Sequence, residues 1–364
     1  MLSASEGEHI VVLGSAGRRL YLIDWFREAF ERLGVRGRVV VAENDRTSAA
    51  FTAGDGAWQL PPYDDPQYES ELLRLADALR PLAYVSLNDY ELMQLGSGIG
   101  EKLRARNVVV PGVSPDWMRI VADKYTMSIR LQELQIRTPE TYLASQRQRV
   151  NGLFDDSAEV IVKHRFGSAS SGLKRARRSE LDDAIRSSAE SAPKSGDSDG
   201  LSSVVVQSLV SGPEYGVDVV ASLTSPGAFC GALARNKVRM RAGETDKATT
   251  VDSREFGYLG RILAKDAQLR GLMDMDVMRE PDGTWSVIDI NPRFGGGYPF
   301  VHLAGADVPT LYLSQILGLN RGQDFLNYSI GVTSAKFEGI RVADGKSDVS
   351  STSNSPQRNV GVCH

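Results

Sequence analysis

The segment MDMDVMREPDGTWSVIDINPR carries the strongest chemical signal in the sequence. Asp276 is placed at the start of a strand, PDG turns the chain, and Asp289 and Asn291 fall on the return strand. Strand positions two apart point to one face, so Asp289 and Asn291 share a side and the hairpin carries Asp276 across toward them. Hard oxygen donors on one rigid surface suit a magnesium ion held partly through nucleotide phosphates. Arg293 falls on that same side and is able to neutralise charge on a transferring phosphoryl or acyl group. The flanks Val287, Ile288 and Ile290 are apolar, and carboxylates set among them need a compensating charge.

A second segment, VIVKHRFGSASSG, ends a strand near Lys163 and opens a small-residue loop from Gly167 to Gly172 that includes Ser168 and Ser170. Such a loop folds over phosphates with backbone amides and hydroxyls, and the lysine adds a point charge. The Walker spacing GxxxxGK[ST] is absent. Between Val160 and Ser179 the chain carries Lys163, Arg165, Lys174, Arg175, Arg177 and Arg178 and no acid. In ARNKVRMRAG, Arg235, Lys237, Arg239 and Arg241 also come without an acid, and an extended strand sets Arg239 and Arg241 on one face, where an anion would bind. In VVVQSLVSGPEYGVDVV, Gln207 ends an apolar strand and Glu214 follows a Gly-Pro turn. That offers amide groups to a purine edge and a carboxylate to ribose hydroxyls, a pattern many strand–turn–strand units share. The first strand–helix turn, GSAGRR, suits an anion at a helix N-terminus but lacks the GxGxxG spacing. Glu43 ends the second strand, where a dinucleotide site keeps its ribose acid, yet the turn fits a substrate better than NAD. Cys230 is expected in the core, and His302 on a helix surface or in the core rather than as a catalytic base.

The elements that must position these residues read as follows. HIVVLGS, RVVVAEN and AYVSLND are buried strands, with NVVVPGV a short fourth. RRLYLIDWFREAFERLG is a helix ended by Gly34, and YESELLRLADALRP one stopped by Pro81. This strand–helix alternation implies a parallel sheet covered on both faces, to about Gly112. A helical stretch from Ser114 to Ile136 follows, then two basic strands around the Gly/Ser loop and a helix over SELDDAIRSSAES. Beyond it the pattern is strand-rich, with helices at YLGRILAKDAQLRG and PTLYLSQILG and a closing strand at SAKFEGIRV. The boundaries expected are 1–112, 113–210 and 211–342, with 343–364 a polar, Ser-rich disordered tail. At 364 residues two or three units are the prior. The net charge of −4, from 42 basic and 46 acidic residues, argues against a protein built around a nucleic-acid backbone. The cysteines offer no disulfide framework or zinc spacing, apolar runs are too short to span a bilayer, and MLSASEGEHI is no secretory signal. A cytoplasmic protein, without nucleic-acid or membrane partners, is expected.

Taken in order, these segments resemble the ATP-grasp superfamily, most closely the ATP-binding part of the carbamoyl-phosphate synthase large subunit, from about Ile10 to about Val342. QSLVSGPEYGVDV and DINPR are the most specific stretches. The resemblance implies an α/β and α+β fold: an N-terminal Rossmann-like pre-ATP-grasp domain, a mobile lid and a C-terminal α+β domain. It implies ATP, with magnesium or manganese, as cofactors. Phosphate contacts fall on Lys124 in VADKYTM, on Lys163, and on Ser168, Ser170 and Gly172 of the loop. The adenine hinge falls on Gln207, Leu209 and Val210, ribose on Glu214, and the metal on Asp276, Asp289 and Asn291. Gln207 replaces the commoner Glu at the hinge, and Asp289 replaces the commoner Glu among the ligands. Arg293 and Arg239 are the catalytic and substrate-facing cations. The activity implied is ADP-forming carboxylate–amine (or thiol) ligation through an acyl phosphate, on small molecules such as amino acids or dipeptides, by a chain able to form a homodimer. Two further readings stand beside it: phosphorylation of bicarbonate, and a nucleotide-binding regulator without ligase activity. The single metal hairpin excludes a complete carbamoyl-phosphate synthase, and with no glutaminase segment the amine is expected to arrive free or from a partner.

Overall fold

The structure, a computed structural model, describes residues 7–146, 158–166, 173–191, 200–241, 243–319 and 324–342. Ser168, Ser170 and Gly172 of the Gly/Ser loop and the 343–364 tail lie outside them.

The N-terminal sheet consists of β1 (His9–Gly14), β2 (Gly37–Glu43), β3 (Gly56–Gln59) and β4 (Ala83–Ser86), in the order β3-β2-β1-β4. Its pairs are all parallel. Alternate residues of the apolar strands feed different cores. Val11, Leu13, Val39 and Val41 pack with Leu22, Phe26 and Phe30 of α1 (Leu20–Leu33). Ile10, Val12 and Val40 pack with Leu72, Leu75 and Leu79 of α2 (Tyr68–Leu79). Both faces are therefore covered, as continuous Val/Ile runs require. Gly34 ends α1 in the left-handed region at φ 69°, where glycine carries no Cβ penalty. NVVVPGV does not become a strand: it forms two isolated bridges, Val109 parallel to Ala83 and, past Pro111, Gly112 antiparallel to Arg270.

α3 (Asp89–Gln94) and α4 (Gly100–Arg104) follow β4. The helical stretch after Ser114 is two helices, α5 (Pro115–Ala122) and α6 (Lys124–Glu133). Asp123 breaks it with extended backbone and caps α6, its carboxylate accepting from the Tyr125 N–H at 3.0 Å.

A second sheet holds β5 (Thr141–Leu143), β6 (Glu159–His164), β7 (Lys174–Arg177) and β8 (Val204–Ser208), antiparallel in the order β5-β8-β6-β7. Val160, Val162, Val204 and Val206 pack with Leu181 and Ile185 of the helix Leu181–Ser191. Lys163 and Gln207 occur on the opposite face, in the alternating register of β6 and β8.

The third sheet is antiparallel and six-stranded. Its strands are β9 (Glu214–Ala221), β10 (Phe229–Arg241), β11 (Glu244–Val251), β12 (Gly271–Arg279), β13 (Trp285–Asn291) and β14 (Thr333–Ala335), in the order β13-β12-β9-β10-β11-β14. One face, with Val217, Val219, Met273, Met275 and Ile290, packs against Leu263, Ala264 and Ala267 of the helix Gly257–Ala267. The other begins apolar, with Val220, Leu233 and Leu272 beside Tyr312, and turns polar along the strands. Of SAKFEGIRV, only Ser334 and Ala335 join the sheet, and Phe337 and Ile340 are exposed. Among the described residues no helix is long and apolar enough to cross a membrane.

Candidate active site

The polar half of that face is built by strand register. Asp276 lies opposite Asp289 and Asp274 opposite Asn291. On the other side of β12, Asp276 pairs with Gly216 and Asp274 with Asp218. Gly216 in turn faces Arg235 on β10. Asp276 therefore sits within β12, not at its start as the sequence suggested. Carboxylates directly opposite each other repel, and each has its own ammonium. The Lys237 Nζ is 2.6 Å from Asp276 Oδ1 and donates to Glu214 Oε1 at 2.6 Å. The Lys124 Nζ donates to Asp289 Oδ1 at 3.2 Å. Burial raises the pKa of Asp276, with Lys237 opposing. Burial acts the same way at Asp289, but Lys124 and Lys163 outweigh it and hold that carboxyl below its usual range.

Beneath this row Arg235 is 1% exposed and forms ion pairs with Asp218 and Asp274, both at 2.5 Å. Gly216 and Gly297 leave room for it, since a Cβ on either would collide with the guanidinium. Removing one partner from such a buried set typically costs about 3–5 kcal/mol, so the pairing fixes β9, β10 and β12 against one another.

Cations reach the row from two other elements. Lys124 opens α6, and Lys163 comes from β6. Lys163 is half-buried, and burial, followed by the charge of Lys124, lowers its pKa to about 8. Among the described residues no carboxylate is within ion-pair distance of Lys163. The two elements are joined at their ends: Arg165 forms a two-pronged ion pair with Asp123, at 2.8 and 2.7 Å, and the Lys124 N–H donates to the Arg165 carbonyl at 3.0 Å.

The other expected residues are placed as follows. Gln207 is buried, and its amide donates to Thr141 Oγ1 at 2.8 Å. Leu209 and Val210 are half-buried in the link from β8 to β9, which starts with Glu214. Arg293 forms a two-pronged pair with Asp89, both contacts at 2.6 Å. Arg239 lies at a bulge in β10, so the regular alternation that would align it with Arg241 is interrupted. It pairs with Asp246 at 2.5 Å. Cys230 is exposed rather than in the core, because it sits at an irregular register near the start of β10. His302 stacks on Trp25 with centroids 3.7 Å apart, a packing role. Glu43 is buried and accepts from the Gly17 N–H at 2.6 Å, which fixes the first turn from inside.

Sequence reasoning missed Asp274, Asp218, Asp89 and the Asp123–Arg165 pair. The one available signal was an acid inside an apolar strand, in MDMDVM and YGVDVV. Among the described residues no three of His, Cys, Asp and Glu group as a self-sufficient metal site. The row is therefore two carboxylates and an amide, suited to an ion that completes its shell with phosphate oxygens and water.

Residues 121–297 match the model of an ATP-grasp domain, and residues 11–110 that of a PylC-like N-terminal domain. Residues 121–297 are thus an ATP-grasp domain, preceded by a PylC-like N-terminal domain. Among solved structures it is similar to the biotin carboxylase domain of the 2-oxoglutarate carboxylase of Hydrogenobacter thermophilus, with a TM-score of 0.68 and 15% identity over 88% of this chain and 72% of that one. It is also similar to N5-carboxyaminoimidazole synthetase from Staphylococcus aureus, solved with ADP (TM-score 0.64, 13% identity, 86% and 78% covered). The L-amino acid ligase of Bacillus licheniformis is a third (TM-score 0.61, 17% identity, 86% and 75% covered). At these identities the likeness is one of fold. No curated protein matches the sequence significantly.

Proposed function

We propose that this chain is an ATP-dependent ligase that joins a small-molecule carboxylate to an amine through an acyl phosphate, releasing ADP and phosphate. The observation that carries this reading is the convergence on one sheet face of Asp276, Asp289 and Asn291 with Lys124 from α6 and Lys163 from β6. The donor set fits magnesium, because both carboxylates are hard oxygen ligands now balanced by lysines. Asp276, Asp289 and Asn291 would hold the ion, which when bound supplies charge neutralisation at the phosphates.

Lys124 and Lys163 would bind phosphate oxygens, and Lys163, with no carboxylate in ion-pair distance among the described residues, is the freer of the two. Leu209 and Val210, in the link between the second and third sheets, would meet adenine through backbone groups. The Gln207 amide is occupied by Thr141 and would help shape that wall. Glu214 would meet the ribose, with Lys237 holding it in place. Arg293, oriented by Asp89, would stabilise charge on the transferring phosphoryl and on the tetrahedral adduct that follows. The Gly/Ser loop with Ser168, Ser170 and Gly172 is proposed to cover the phosphates and keep water from the acyl phosphate. Arg239 is proposed to face the substrate, which requires exchanging Asp246 for it.

Asp289→Asn tests the reading. The substitution keeps the shape and the hydrogen bond to Asn291 but removes a charge from the ion. Magnesium-dependent ADP formation is expected to fall at least 100-fold with an unchanged circular dichroism spectrum, and turnover within a fewfold of the parent chain contradicts the assignment.

A further inference from the structure

The ligase reading leaves the first strand–helix turn, GSAGRR, without a task. In the order β3-β2-β1-β4 the chain moves from β1 to β2 on one side, while β4 lies on the other. In open α/β sheets, the crevice beyond the carboxyl ends of strands at such a reversal is where ligands bind. Here it is bounded by the turn after Gly14 and by residues 87–89 after β4.

Two guanidinium groups are anchored there. Arg19, the last residue of the turn, donates Nη1 to the Leu87 carbonyl. Arg293 arrives from beyond β13 and is held by Asp89. Leu87 and Asp89 are two residues apart, with extended backbone at Asn88 between them, and the charge of Arg293 is felt at Arg19. One carboxylate is able to bridge two neighbouring guanidinium groups, an oxygen to each.

The donors are also in surplus. A guanidinium has five N–H groups, and among the described residues only the Leu87 carbonyl accepts from the Arg19 side chain. No described carboxylate forms an ion pair with it. The nearby acids are Asp89, held by Arg293, and Glu244, held by Lys336 at 3.0 Å. Burial, then the charge of Arg293, lowers the Arg19 pKa, so the two cations repel where an anion would reconcile them. Arg18 beside it is exposed.

We infer that Arg19 is a substrate-recognition residue which, with Arg293, holds the carboxylate of a small organic acid in the β1–β4 crevice. The inference rests on the ligase reading and names the domain and residue that present its acid substrate to the phosphoryl-transfer site. The acid is thereby approached from the N-terminal sheet, and the nucleotide from the face between the other two sheets.

The test uses the full chain. MgATP-dependent phosphate release is measured with each of the twenty common amino acids, paired with a second amino acid as amine donor, and with bicarbonate alone. Any stimulating acid is compared with its carboxamide, in the parent chain and in Arg19→Ala and Arg19→Lys, while ADP binding is followed calorimetrically. Arg19→Ala is expected to raise KM for the acid ten- to 100-fold and leave ADP binding and the KM for ATP within about twofold. Arg19→Lys should recover part of the loss, and the carboxamide should not distinguish parent from variant. An unchanged acid KM in Arg19→Ala overturns the inference, as does release supported by bicarbonate alone or by no acid in a chain that binds ADP. Failure of the parent chain to bind ADP refutes the ligase reading instead, so the two failures are distinct.

Discussion

Lys163 is the most exposed of the site's assumptions to a simple measurement. Its ammonium is enclosed by the cleft and stands near another lysine, and both effects favour the neutral amine, bringing its pKa to about 8. The sign follows directly: below that pH the side chain is charged and attracts phosphate, and above it the attraction is lost. The ratio kcat/KM for ATP is therefore expected to fall as pH rises through about 8. In Lys163→Arg the cation stays charged and the alkaline limb should flatten. A profile unchanged by that substitution would mean Lys163 does not meet the nucleotide. Single residues were legible where their type was unusual for their surroundings, as Asp289 and Asn291 are among Val287, Ile288 and Ile290. They were illegible where meaning came from a partner. Arg235 read as one cation in an anion-binding run, but it is buried between Asp218 and Asp274 of two other strands. No linear spacing reveals a pairing made across three strands.

At the scale of elements, the junction of β6 with α6 decides whether two lysines act on one ligand. The Arg165–Asp123 fork and the backbone bond beside it hold the end of β6 against the start of α6. Arg165→Ala should therefore raise the KM for ATP severalfold more than it lowers kcat. Asp123→Asn, which keeps an N-cap side chain, should have a similar effect. In the double variant the effects should be far from additive, because both remove one interaction. Fully additive losses in steady-state kinetics would show that the fork does not position Lys124. Helices α1 and α2 were readable from apolar period and from Gly34 and Pro81. The break at Asp123 was not read, although its carboxylate caps α6 locally through the Tyr125 N–H; what holds that carboxylate from the other side is Arg165, forty-two positions away in sequence. Short strands failed both ways: β3 has too few residues to show alternation, and NVVVPGV has the composition of a strand but forms only two isolated bridges, to Ala83 and Arg270.

For the whole molecule, the three sheets divide the labour. In the proposed ligase the N-terminal sheet would offer a crevice for an acid and the second sheet a lysine and a hinge wall, beside the third sheet's row of oxygen donors stiffened by a buried arginine. The doubly covered parallel sheet and the strand-rich C-terminal half were visible in the sequence because each follows from apolar pattern alone. The meeting of Lys124, Lys163 and Asp289 was supplied only by the resemblance, since it depends on how separate elements pack. The summed charge of −4 gives no hint of this arrangement, in which Lys124 and Lys237 pair with Asp289, Asp276 and Glu214, with Lys163 beside them. The most direct measurement is ADP and phosphate release by the purified chain with MgATP over a panel of carboxylate and amine pairs, with mass spectrometry of the products. Release that requires both an acid and an amine, with a product mass equal to their sum less one water, is the expected result. ATP binding with no release above background from any pair would contradict a ligase and leave a nucleotide-binding regulator in its place.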